Sequence, residues 1–156
     1  MTEGEKTRLV AWSRELRAVH ERLREALHLT RGALAAGTPA GEASRDLLLF
    51  CHGFCTALTG HHEGEDRRLF PAIAAAHPEL ADTLRYLEQD HSMMNHLIGG
   101  LQKAVDAVAP PDELERHLDG LGAIMESHFA YEERQLLGVL ETLALDADPG
   151  DVLGPL

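Results

Sequence analysis

The segment His61-His62-Glu63-Gly64-Glu65-Asp66-Arg67-Arg68-Leu69 recurs half a chain later as His128-Phe129-Ala130-Tyr131-Glu132-Glu133-Arg134-Gln135-Leu136. Both copies read His-x-x-x-Glu, followed by a second acid, an Arg and a Leu. Four residues on a helix advance about 6 Å and slightly more than one turn, so the His and the Glu share a face. Two such pairs on different helices bring two imidazoles and two carboxylates to one point. Nitrogen and carboxylate oxygen together are a ligand mixture that suits a pair of iron ions. The same donor types also serve zinc or manganese.

Two further histidines fit the same pattern. His20 is flanked by Leu16, Leu23 and Leu27, and His91 sits among Leu84, Leu87, Met94 and Ile98. His61 follows Phe54, Ala57 and Leu58, while His128 sits among Leu121, Ile124 and Met125. Each of the four interrupts the apolar stripe of its own helix. A lone His on such a stripe is usually a hydrogen-bonded core residue. Four of them, two with a carboxylate one turn on, are better explained by a metal, because buried polar groups cost several kcal/mol unless satisfied. His28, His52, His77 and His96 fit no shared stripe and read as surface or interface residues. His117 lies on the face of His128 but about three turns away. His62 and Asp66 form a second His-x-x-x-acid pair, rotated by about 100°. The register of His61 and Glu65 is preferred, since it alone matches His128 and Glu132.

These residues need helices to hold them, and the chain supplies four periodic segments. They run over about residues 7–36, 42–76, 79–107 and 112–145, separated by Gly37-Thr38-Pro39, His77-Pro78 and Ala109-Pro110-Pro111. Asp112 is the expected N-cap of the last, with Glu115 three residues on. Gly99-Gly100 and Gly120 weaken their helices locally. Short connections between long helices predict an all-α, up-down-up-down antiparallel four-helix bundle over residues 1–145. Residues 146–156, rich in Asp, Gly and Pro, are expected to form a flexible C-terminal tail.

Composition narrows the function. A chain of 156 residues is long enough to bury one core, and 4% aromatic content with much Leu, Ala and Glu favours helices. A net charge of −12 argues against nucleic acid or an anionic membrane as partner. No apolar run is long enough to span a bilayer, and residues 1–6 lack a signal-peptide pattern, so a cytoplasmic protein, monomeric or weakly oligomeric, is expected. Cys51 and Cys55 lie four apart on a helix, where geometry disfavours a disulfide between them. They read as buried apolar residues, with a thiol sensor as the rival reading because Cys55, His62 and Asp66 share a stripe.

With His20, His61, Glu65, His91, His128 and Glu132 assembled, the chain resembles the hemerythrin-like family, the hemerythrin HHE cation-binding domains. The ordered pattern H…HxxxE…H…HxxxE carries the resemblance across all four predicted helices. Glu65-Asp66-Arg67-Arg68-Leu69-Phe70-Pro71 is also similar to that family's segment after its first acidic ligand. The resemblance implies a non-haem di-iron centre in which Glu65 and Glu132 bridge the ions and the histidines are terminal ligands, with an oxo or hydroxo bridge. One departure concerns helix three, where oxygen-carrying hemerythrins have a second His one turn on and this chain has Asn95. With four imidazoles and two bridging carboxylates, about two of roughly twelve coordination positions stay open. That arrangement disfavours simple oxygen transport. The expectation is a protein that reacts with or senses dioxygen, hydrogen peroxide or nitric oxide, with detoxification as one outcome. The alternative is an iron- or oxygen-responsive binding module, or an iron store without turnover. The sequence does not decide whether it is an enzyme. Around the site, Tyr131 is read as a packing residue or an added partner, and Glu88 and Arg24 as groups that orient His91 and His20. Asp66 and Glu133 are expected to pair with Arg67 and Arg134, and Glu63 is wrongly phased.

Overall fold

The computed structural model describes residues 10–35 and 42–154, with side chains over 10–34 and 51–154. The long helices are α1 (Trp12–Ala35), α2 (Glu42–Gly64), α4 (Ala81–Asp106) and α5 (Pro111–Leu140). Between α2 and α4 lie a π-helical turn (Glu65–Leu69), the short α3 (Phe70–Ala76) and a 3-10 turn (Pro78–Leu80). A last short helix, α6, covers Pro149–Leu153. The expected start of the first helix at Thr7 and the Gly37-Thr38-Pro39 stop lie outside the described residues.

The long helices pack in a ring, α1 against α2, α2 against α4, α4 against α5 and α5 against α1. The connectors at 77–80 and 107–110 span at most about 14 Å, too short to run back along a helix, so the helices they join are antiparallel. This is the expected all-α bundle. Its interior is filled by fully buried side chains such as Trp12, Leu16, Leu58, Leu87, Met94 and Phe129. Each contributes about 1.5–3 kcal/mol through removal from water. Among the described residues no helix is long and apolar enough to cross a membrane.

Proline sets two of the boundaries. Pro71 has no N–H to continue the α ladder toward Arg67, and the chain answers with a wide turn in which the Phe70 N–H bonds the Glu65 carbonyl. The extra residue shifts the register, so Leu69 and Phe70 are both buried. At the other boundary, the helix starts at Pro111 with Pro110 as its N-cap. Asp112 therefore lies in the first turn and is not the cap expected from sequence. Proline is pre-set for the first helical position and lacks the N–H that a cap would satisfy.

The segment after α5 differs from the expected flexible tail. α5 ends at Leu140, and Trp12 Nε1 donates to the Leu145 carbonyl at 2.9 Å, drawing the chain back over α1. Asp148 caps α6 by accepting the Gly150 N–H at 2.8 Å. Val152 and Leu153 are fully buried. Two apolar side chains and a capped turn are enough to dock a segment whose composition reads as loop.

Candidate metal centre

Each long helix delivers part of one buried polar cluster. α1 brings His20, α2 brings His61 and His62, and the first residue of the π turn is Glu65. α4 brings His91, and α5 brings His128 and Glu132. All seven are at most 2% exposed. Their donor atoms form two groups, His62, Glu65, His91 and His128 in one and His20, His61 and Glu132 in the other. Within each group the atoms lie within 4.8 Å of one another.

The ring nitrogens divide cleanly into outward and inward sets. Nδ1 of His91 lies 2.7 Å from Asp66 Oδ1, and Nδ1 of His128 lies 3.0 Å from Asp90 Oδ2. His61 Nδ1 lies 2.8 Å from the Leu153 carbonyl, and His20 Nδ1 lies 3.3 Å from Glu133 Oε1. A carbonyl or carboxylate oxygen can only accept, so each Nδ1 carries the proton and each Nε2 presents a lone pair. Those lone pairs point inward. His61 Nε2 is 3.2 Å from Glu65 Oε1, His128 Nε2 is 3.1 Å from Glu132 Oε2, and His20 Nε2 is 3.6 Å from Glu132 Oε1. His91 Nε2 faces His128 Nε2 at 3.1 Å. Two lone pairs at that distance repel unless a proton or a cation stands between them.

Eight buried side-chain atoms lack a hydrogen-bond partner among the described residues: His20 Nε2, His61 Nε2, both His62 nitrogens and both oxygens of Glu65 and Glu132. All eight belong to this cluster. Each unsatisfied buried polar group costs about 1–3 kcal/mol, and more when charged. A packed core does not carry that burden without a compensating ligand, so the donor set fits a bound cation.

The electrostatics carry the same strain. Burial first, and neighbouring His20 second, push the His61 imidazole down to about 3. Burial and then His91 hold His62 well below the usual imidazole range. Both rings are therefore neutral at pH 7, as metal ligands must be. Burial and the facing Glu132 push Glu65 well above the usual carboxyl range. Burial raises Glu132 as well, but the neighbouring Glu65 carboxyl with His128 and His20 holds it well below. His128 is depressed by burial and raised on balance by Glu132 and Asp90.

All six residues singled out from sequence, His20, His61, Glu65, His91, His128 and Glu132, converge here. His62 does too, although the sequence reading set it aside in favour of His61. The missed signal is His62-x-x-Glu65, an i, i+3 spacing that flanks the carboxylate from its other side. Asn95 is exposed and takes no part. Asp66 and Glu133 pair with imidazoles of the cluster rather than with Arg67 and Arg134 as expected, and Asp90 joins them. Arg24 acts through Glu133, 3.6 Å away, while Glu88 is exposed. Tyr131 packs against the core with Arg134 over its ring. His28, His52 and His96 are exposed, and His77 pairs with Glu79 at 3.2 Å. Cys51 and Cys55 are free and buried, and burial pushes their thiols up to about 11 and 12. Such thiols are poor nucleophiles.

The model of the hemerythrin HHE cation-binding domain matches residues 13–140, which contain all seven cluster residues. No curated protein and no solved structure matches the chain.

Proposed function

The chain belongs to the hemerythrin HHE cation-binding domain family, and on that premise we propose that it holds two iron ions and reacts with or senses dioxygen, hydrogen peroxide or nitric oxide. His20, His61 and Glu132 would hold one ion, and His62, His91, His128 and Glu65 the other, with both carboxylates shared across the pair. The observation that carries this reading is the set of eight unpartnered buried atoms, all on these residues.

His62 alters the coordination arithmetic. Two six-coordinate ions offer about twelve positions; two bridging carboxylates take about four, five imidazoles about five and a bridging oxygen about two. About one position remains, against about two when only four histidines are counted. Exposed Asn95 therefore leaves no gap, since His62 supplies the fifth ring from another helix. A single open position suits one small ligand at a time, and reversible dioxygen binding returns as a candidate beside peroxide and nitric oxide chemistry. When bound, an iron pair supplies electron exchange with such ligands.

The chain's own residues contribute order and dryness. Asp66, Asp90, Glu133 and the Leu153 carbonyl fix four imidazoles with Nε2 inward. Phe129 stacks on His20 at 3.8 Å, and Phe70 on His91 at 5.6 Å, which keeps water from the rings. The free thiols of Cys51 and Cys55 fit a reducing compartment, the cytoplasm. Iron analysis after expression in iron-supplied cells tests the reading, with two ions per chain expected and far fewer contradicting it. Repeated consumption of peroxide or nitric oxide would mark an enzyme. One change of optical spectrum per ligand would mark a carrier or sensor.

A further inference from the structure

Of the four imidazoles held through Nδ1, three lean on carboxylates carried by the π turn, α4 or α5. His61 alone depends on a segment outside the ring of long helices, through the Leu153 carbonyl at 2.8 Å. That segment is fitted closely to α2. A Cβ added at Gly64 would collide with the Val152 carbonyl. One added at Gly154, whose φ is +94°, would stand 2.7 Å from the His61 backbone nitrogen. Val152 and Leu153 are fully buried, while Glu141, Thr142, Asp146 and Asp148 leading to them are exposed. The anchoring contacts, to α1, α2 and the π turn, are confined to one short stretch reached through a largely exposed approach, so the segment can dock and release as one unit.

We propose that Pro149–Gly154 is a strap whose docking is linked to the filling of the His20–His61–Glu132 position. The inference rests on the two-ion reading above. The Leu153 carbonyl holds the Nδ1 proton of His61 and so aims Nε2 at the centre. An ion on that Nε2 fixes the ring that the carbonyl grips, and by thermodynamic reciprocity it favours the docked strap. Among the described residues, no hydrogen bond or ion pair joins His62, His91 or His128 to the strap. Iron occupancy at one position is thereby converted into order on the protein surface, which gives a partner or protease something to read.

The test uses the full chain, stripped of metal and titrated with ferrous iron without oxygen. Gly64→Ala and Gly154→Ala push the strap away without removing a donor atom. Gly53→Ala, on α2 with nothing within 4 Å of its new Cβ, is the control. Wild type and Gly53→Ala are expected to take two ions with equal affinity. The two strap variants are expected to keep one ion at wild-type affinity and to bind the other about 10–100-fold more weakly, the usual effect of losing a group behind a metal ligand. In wild type, exchange of the Gly154 amide, which bonds the Gly150 carbonyl, should slow at least about 10-fold on iron loading. Strap variants that bind both ions as tightly as wild type would overturn the proposal, as would loss of both ions together or Gly154 exchange indifferent to iron. A wild-type chain that takes fewer than two ions would instead overturn the reading of the site, and the proposal with it.

Discussion

The two His-x-x-x-Glu copies differ at the residue that follows their histidine, and the difference makes the two halves of the centre unequal. In the copy on α2 that residue is His62, stacked on His91 at 4.0 Å and edge-on to His128 at 5.5 Å. In the copy on α5 it is Phe129, stacked on His20 at 3.8 Å and edge-on to His61 at 6.1 Å. The two rings occupy matching places under an exchange of α2 with α5 and α1 with α4. One is a ligand-type ring with both nitrogens unpartnered, and the other is pure packing. Near-symmetry of the bundle thus sets the places, and one side chain decides which half has three imidazoles and which has two.

The largest effect is expected where the halves meet. Glu132→Ala removes the carboxylate that faces both His20 and His128. Iron per chain should fall from two toward none by metal analysis, whereas loss of a single ion would show that the carboxylates are not shared. His62→Phe makes the first copy like the second. It should cost the ion held by His91 and His128 and spare the other, giving about one iron per chain; an unchanged content of two would remove His62 from the site.

Smaller effects separate support from ligation. Asp66→Asn takes away the anionic acceptor behind His91 and should weaken one ion by about 10–100-fold in a ferrous titration, leaving the other unaffected. Phe129→Leu should keep both ions and lower stability by about 1–2 kcal/mol in chemical denaturation, the scale of a lost ring stack with a small cavity. If it cost iron instead, the contrast with His62 would fail.

The metal-free chain should also report its buried neutral rings through pH. His61 is pushed down to about 3 in the folded state, against about 6.5 when unfolded. The unfolded chain therefore binds the proton first, and stability falls as pH drops from about 6.5 toward 3. His62 acts in the same sense, while His128, raised, opposes with stability present at low pH and lost as pH rises. Glu65, also raised, opposes in the same way, so two groups stand against two between about pH 7 and 5. Below about pH 4.5 Glu132, held well below its ordinary range, joins His61 and His62, and stability falls toward pH 3 by at most about 1.4 kcal/mol per pH unit for each uncompensated group. Denaturant midpoints that stay flat or rise as pH falls over that lower range would contradict this balance.

Much of the centre is legible in sequence, and the parts that are not share physical reasons. His20 and His91 stand out because each breaks an apolar stripe, and the repeat reveals His61, Glu65, His128 and Glu132. His62 is hidden by treating the inward face as one line. With about 100° per residue, Glu65 projects at about 40° from His61 and His62 at about 100°, so the carboxylate lies between two inward rings. Asp66 and Asp90 follow from the packing of α4 against its neighbours, which spacing within one helix does not encode. The π turn at Pro71 is readable as a broken ladder, though not as the wide turn that repairs it. Leu153 contributes a backbone carbonyl, a group every residue has, and so leaves no mark of its own in the sequence.

The central claim is that five imidazoles and two carboxylates make one two-ion centre with unequal halves. It is tested most directly by anaerobic ferrous titration of the metal-free chain beside His62→Phe. The account predicts two ions for wild type and one for the variant. Equal stoichiometry in the two proteins would contradict it.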